Sequence, residues 1–141
     1  MKPFIILLAS ILLFSACKED EGPIGGDDLP KLYIQNVSLK EGNDQKDFAF
    51  EVRMSPASEQ TVSVSFVTND GTAIAGEDYV STNGSISFPA GSTSQSLTVS
   101  IIGDDLKEGD EEFTVTLSSP QNATIGTGDA TGTIINDDDK L

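Results

Sequence analysis

The chain is expected to fold as an all-β antiparallel sandwich of about seven strands. Three observations predict this. Apolar and polar residues alternate with period two over several short segments, as half-buried strands require. Those segments are rich in Val, Ile, Thr and Phe. Between them stand turn formers at regular spacing, among them Asn69-Asp70-Gly71, Pro89-Ala90-Gly91 and Gly126-Thr127-Gly128.

In chain order, the first strand is predicted over residues 32–36 and the second over 47–55. In the second, Phe48, Phe50, Val52 and Met54 alternate with Ala49, Glu51 and Arg53. A third covers 61–69, with Val62, Val64 and Phe66 inward, and a fourth covers 84–88, with Ile86 and Phe88 inward. The fifth (95–102) alternates Leu97, Val99 and Ile101 with Thr98 and Ser100. The sixth (112–118) alternates Phe113, Val115 and Leu117 with Thr114 and Thr116, and the seventh runs over 129–136. The domain these strands form is taken as residues 31–141, long enough to bury a core without staples.

Two segments precede it. Residues 1–16 carry Lys2, an apolar run from Phe4 to Phe14, and small residues Ser15 and Ala16, the layout of a secretory signal peptide. The run is too short for a membrane span, which needs about 20 apolar residues. Residues 17–30 begin with the single cysteine, Cys17, and continue as an acidic Gly- and Pro-containing tether. One cysteine excludes an intrachain disulfide. Leu13-Phe14-Ser15-Ala16-Cys17 resembles a bacterial lipobox, which implies that Cys17 becomes a lipidated N-terminus. The other reading is a signal cut elsewhere, leaving a free thiol. Cys17-Lys18-Glu19-Asp20 is similar to the surface-export signal of Bacteroidota lipoproteins, although an acidic linker matches it too. Together these lead us to expect an outer-membrane lipoprotein exposed either at the cell surface or to the periplasm.

Charge narrows the function classes. All 23 acidic residues and all but one of the 8 basic residues follow Cys17, leaving that part at −16. Such a charge repels nucleic acid and anionic lipid surfaces. There is no His, which excludes Ser-His-Asp hydrolysis and removes the commonest transition-metal ligand. Paired carboxylates could do acid–base work as in glycosidases, but that needs a concave pocket, and these acids fall on loop tips. We therefore expect a binding module and no enzyme.

Where the acids fall is more informative than how many there are. In a turn-linked antiparallel sandwich, the connections after the first, third, fifth and seventh strands share one pole. That pole receives Glu41, Asp44 and Asp47; Asp70, Glu77 and Asp78; Asp104, Asp105, Glu108, Asp110 and Glu111; and Asp137, Asp138 and Asp139. The opposite pole receives Glu59 and Asp129. Close carboxylate pairs repel by about 1 kcal/mol or more near a surface. Ca²⁺ offsets that cost by taking about six to eight oxygen ligands, and an all-oxygen set disfavours Zn²⁺ and Cu²⁺. Taken alone, Asp137-Asp138-Asp139 reads as a solvated chain end; the four loops together read as a cation site.

Several blocks resemble the Calx-beta domain: Lys40-Glu41-Gly42, the run from Phe66 to Ala73, Ala75-Gly76-Glu77-Asp78-Tyr79, Gly84 to Gly91, Asp104 to Glu111, Phe113 to Leu117 and Gly132 to Asp139. The resemblance implies an immunoglobulin-like sandwich. It also implies Ca²⁺ ligands from Glu41, Asp78, Asp104, Asp105, Glu108, Glu111, Asp137, Asp138 and Asp139, with Leu106 giving its backbone carbonyl. Gly103 departs from the pattern, which has a third acid before the Asp-Asp pair, so a ligand is lost there. Asp137 has a second reading as the cap of the last strand. The expected partners are calcium ions, the membrane through the lipid anchor, and a protein or glycan of unknown identity. A rival reading is an adhesion or carbohydrate-binding sandwich in which Ca²⁺ is incidental.

Overall fold

A computed structural model describes residues 29–139; the expected signal peptide, Cys17 and most of the tether lie outside the described residues. The described chain folds into nine strands: β1 (Lys31–Ile34), β2 (Val37–Lys40), β3 (Lys46–Ser55), β4 (Val62–Asp70), β5 (Asn83–Phe88), β6 (Ser94–Ile101), β7 (Glu111–Gln121), β8 (Thr124–Thr127) and β9 (Asp129–Ile135). They form a four-stranded sheet in the order β6-β3-β1-β8 and a five-stranded sheet in the order β2-β9-β7-β4-β5.

The period-two pattern gives the core its composition. Phe48, Phe50, Val52 and Met54 of β3, with Leu97, Val99 and Ile101 of β6, meet Val62 and Val64 of β4 and Phe113 and Val115 of β7 across the sandwich. Phe113 is the centre. Its ring stacks on Tyr79 at 4.5 Å and meets Phe50 edge-on at 5.9 Å, arrangements that suit the ring quadrupoles. On β9 the inward position between Ala130 and Ile134 is Gly132. A Cβ there would stand 2.5 Å from the Phe113 ring, so the large residue of β7 sets the small one of its neighbour.

The strand count and pairing differ from the expectation in two places. The strand predicted over 32–36 ends at Ile34, and beyond Gln35-Asn36 the chain crosses to the other sheet as β2, a strand the sequence reading did not predict; the Thr131 amide donates to Asn36 Oδ1 at 2.9 Å at the crossing. The short β8, with a Gly in its four residues, has too weak a local pattern to be read as a strand. Both additions pair in parallel, β1 with β8 and β2 with β9, so the sandwich is not wholly antiparallel. In addition, β7 runs three residues past its predicted end. Ser119, at φ 50°, lies where the register with β4 shifts, a bulge that carries the strand past Pro120.

The assignment of loops to poles survives these changes. β1 passes into β2, and β8 into β9, by changing sheet rather than by a hairpin, and the two members of one pair lie parallel to those of the other. The connections 41–45, 71–82 and 102–110 and the segment 136–139 therefore meet at one end, as the contacts below show.

Candidate metal centre

Each of the four segments is shaped locally before it meets the others. In the second, Gly76 takes φ 92°, which lets the chain turn so that the Glu77 and Asp78 amides donate to the Ile74 carbonyl. Asp78 Oδ2 then accepts from the Ile74 amide at 2.7 Å, fixing its carboxylate. Tyr79 turns inward and donates to Asp70 Oδ1 at 2.6 Å; the same oxygen accepts from the Ala75 amide. Asp70 thus serves the turn. In the third segment, Asp104 Oδ1 accepts from the Leu106 amide at 2.7 Å.

Bonds between segments then gather the loops. The Gly42 amide donates to Asp137 Oδ1 at 3.0 Å, joining loop 41–45 to the last segment. Asn43 donates to Asp105, joining the same loop to 102–110. Asn136 does most of the gathering. Its side-chain amide donates to Glu41 Oε1 at 3.0 Å and to the Leu106 carbonyl at 3.1 Å, while its backbone amide donates to Asp110 Oδ1 at 3.1 Å.

Two groups of three carboxylates result, each with ligand oxygens within 4.8 Å of one another. One is Glu41, Asp137 and Asp138; the other is Asp78, Glu108 and Glu111. Asp104 acts on both, since its charge raises the pKa of Glu41 and of Glu108. Asp105 is engaged with Asn43, the Leu106 carbonyl with Asn136, and Asp139 is exposed and in neither group.

The electrostatics are those of carboxylates with too little positive charge nearby. Glu41 is 6% exposed. Burial raises its pKa, the Asn136 hydrogen bond opposes that rise, and the charges of Asp104, Glu108 and Asp138 add to it. Glu108 is raised by burial and then by Asp104, Asp78 and Glu77. Glu111 is pushed up to about 7, first by burial, then by its hydrogen bond and charge contact with Asp78, then by Glu108 and Glu41. At neutral pH Glu111 is therefore about half protonated, with its hydrogen bond directed at Asp78. The donors are all oxygen, and carboxylates dominate, which is the chemistry of a hard divalent ion.

Gly103, the departure noted in the sequence, has a steric reason here. A Cβ at this position would lie 2.1 Å from the Gly42 carbonyl oxygen and 2.8 Å from that of Asp44. Backbone of loop 41–45 fills the space that an acidic side chain would need.

The family model of the Calx-beta domain matches residues 27–139. The chain belongs to the Calx-beta domain family. Among solved structures, this Calx-beta domain is similar to the apo-form Calx CBD1 domain, at 29% identity and a TM-score of 0.70, covering 79% of this chain and all of that one. It is also similar to the calcium binding domain CBD12 of CALX1.1, at 31% identity and a TM-score of 0.69, covering 77% of this chain and 46% of that one. Curated relatives include sodium/calcium exchanger 1 of Canis lupus familiaris, 51% identical over 59 residues, which is 42% of this chain and 6% of the exchanger. The sodium/calcium exchanger Calx of Drosophila melanogaster is 45% identical over 58 residues, 41% of this chain and 6% of that protein. The chain thus spans a small fraction of these relatives' length, and the likeness concerns the domain.

Sequence reasoning missed Asn136. It fell at the end of the last predicted strand, and only the folded loops show its amide between Glu41 and Leu106.

Proposed function

We propose that this Calx-beta domain binds Ca²⁺ at its acidic pole and serves as an extracytoplasmic interaction or spacer module, held to the outer membrane through lipidated Cys17. The observation that carries the reading is the pair of three-carboxylate groups drawn from four connections, with Glu111 raised to about 7 by burial and then by Asp78, Glu108 and Glu41. Relatives described as calcium binding support the choice of ion. In this reading Glu41, Asp137 and Asp138 hold one ion and Asp78, Glu108 and Glu111 a second, with Asp104 contributing charge to both. Ca²⁺ supplies two positive charges and accepts the oxygen ligands that the loops already present.

The chain's own residues do the rest. Asn136 orients Glu41 and holds loop 102–110 through Leu106, so loading one group stiffens the segments that carry the other. Extracellular modules typically bind Ca²⁺ at about 10⁻⁴ to 10⁻³ M, which favours a constitutive structural role. Adding Ca²⁺ to the stripped chain stabilises it by about 2.7 kcal/mol at a hundredfold excess over the dissociation constant. Calorimetry with a parallel melting curve checks this, with Mg²⁺ as the control; no heat and no rise in Tm at millimolar Ca²⁺ would reject it. The anchor is tested separately: Cys17→Ala releases the protein from the membrane fraction without altering the calcium response.

A further inference from the structure

A second site lies on the outer face of the four-stranded sheet, where a groove of about 600 Å³ opens to solvent. Its floor follows from the register. Thr127 of β8, Tyr33 of β1, Arg53 of β3 and Ser94 of β6 are direct cross-strand partners, so one side chain from every strand stands in a single row. At the usual strand spacing this row is about 14 Å long. The next row holds Glu51, which fixes the polar part of the groove. Arg53 Nη2 donates to Glu51 Oε2 at 2.9 Å and Ser94 Oγ donates to Glu51 Oε1 at 2.9 Å.

Three features decide what fits. Tyr33 is 37% exposed, and its ring lies over Gly126, where a Cβ would come within 2.5 Å of it. Glycine thus seats an aromatic ring on the sheet with part of its surface open, a platform for the C–H face of a ligand. Second, Arg53–Glu51 is the one ion pair among the described residues, in a chain of net charge −15. The pair is neutral overall, so it attracts neither an anion nor a cation strongly, yet the guanidinium retains further N–H donors and the hydroxyls remain able to accept. Third, the volume is that of a site for a small molecule of several rings' extent. An aromatic platform beside a neutral, pre-positioned array of donors and acceptors matches a ligand with an apolar C–H face and many hydroxyls.

We propose that this groove is a glycan-binding site taking a neutral oligosaccharide, independent of the acidic pole. The test uses ¹⁵N-labelled full chain in excess chelator, titrated with cellotetraose, laminaritetraose and mannotetraose at millimolar concentration, with tetragalacturonate as the charged comparison. At least one neutral sugar is expected to shift amides of β1, β3 and β6 around Tyr33, Arg53 and Ser94. Tyr33→Ala weakens that binding about tenfold, the scale of one lost aromatic contact. Arg53→Gln weakens it too, and both variants retain native amide dispersion because the altered side chains lie outside the core. Silence from all three neutral sugars overturns the proposal, as do shifts confined to loops 41–45 and 102–110, or tighter binding of tetragalacturonate than of any neutral sugar.

Discussion

At the end of the sandwich away from the acids, neutral groups close the loops: the Gly91 amide donates to the Ser58 carbonyl at 2.7 Å, and Asn122 donates from its side chain to the Thr61 carbonyl at 2.9 Å. At the acidic end the connectors between loops are carboxylates that accept, with Asp137 taking the Gly42 amide, Asp105 taking Asn43 and Glu41 taking Asn136. Both ends satisfy backbone groups, as buried or constrained amides require. They differ in what remains afterwards. A neutral hydrogen bond leaves nothing to compensate, whereas the acidic end is left with Glu41, Glu108 and Glu111 raised by burial and then by the charge of neighbouring carboxylates. One end is left neutral by its own hydrogen bonds. The other keeps carboxylates whose charge the polypeptide leaves uncompensated.

The contrast breaks most sharply if the acids can be removed without consequence. Replacing one carboxylate in each group, Glu41→Gln with Asp78→Asn, is expected to abolish the calcium-dependent rise in Tm, a loss of about 2.7 kcal/mol at a hundredfold excess of ion. The stripped double variant melts at or above the stripped parent, since repulsion falls while Asn136 keeps an acceptor at residue 41. Gly103→Ala comes next. Its Cβ meets the Gly42 carbonyl at 2.1 Å, so the loop must shift, and the chain loses about 1–3 kcal/mol in denaturant unfolding with or without calcium. This separates packing at the acidic end from its charge.

pH sharpens the same contrast. Glu111 titrates at about 7 in the folded, metal-free chain and near the ordinary 4.5 when unfolded. Between those values the folded state holds more protons than the unfolded one, so stability falls as pH rises. The contribution is fully present below about 4.5 and is lost as pH climbs through about 7; Glu41 and Glu108 act in the same direction. Asp70 and Glu51, whose values are lowered, oppose this only in more acidic solution, where they take up protons. Melting curves of stripped protein are expected to show a lower Tm at about pH 8 than at about pH 5.5, and saturating Ca²⁺ removes that difference because binding displaces the proton from Glu111. The smallest effect belongs to the neutral end. Asn122→Ala costs about 1 kcal/mol through the bond to Thr61, equally in stripped and loaded protein, and leaves the calcium response unchanged.

Much of this could be read before folding was considered. Alternation around Phe48, Val99 and Phe113 identified the strands and their buried faces, because the pleat has a period of two and the sandwich has one wet and one dry side per sheet. Counting strands placed Glu41, Asp78, Glu111 and Asp138 at one end, and that parity held although β2 and β8 were missed. Neither strand turns the chain back, so neither changes which end a loop occupies. The row of Tyr33, Arg53 and Ser94 was not legible, since it depends on the registers of two strand pairs set by non-local hydrogen bonds.

By itself, then, the sequence determined the period of each strand, the end at which each loop emerges and the oxygen-only character of the acidic cluster, all of which follow from local pattern and residue chemistry. Tertiary structure alone decided how the acids divide into two groups, that Asn136 joins them, and that Gly103 must stay small. Those depend on distances of a few ångströms between segments up to 95 residues apart, and such distances are set by how two sheets pack rather than by anything a short stretch of chain encodes.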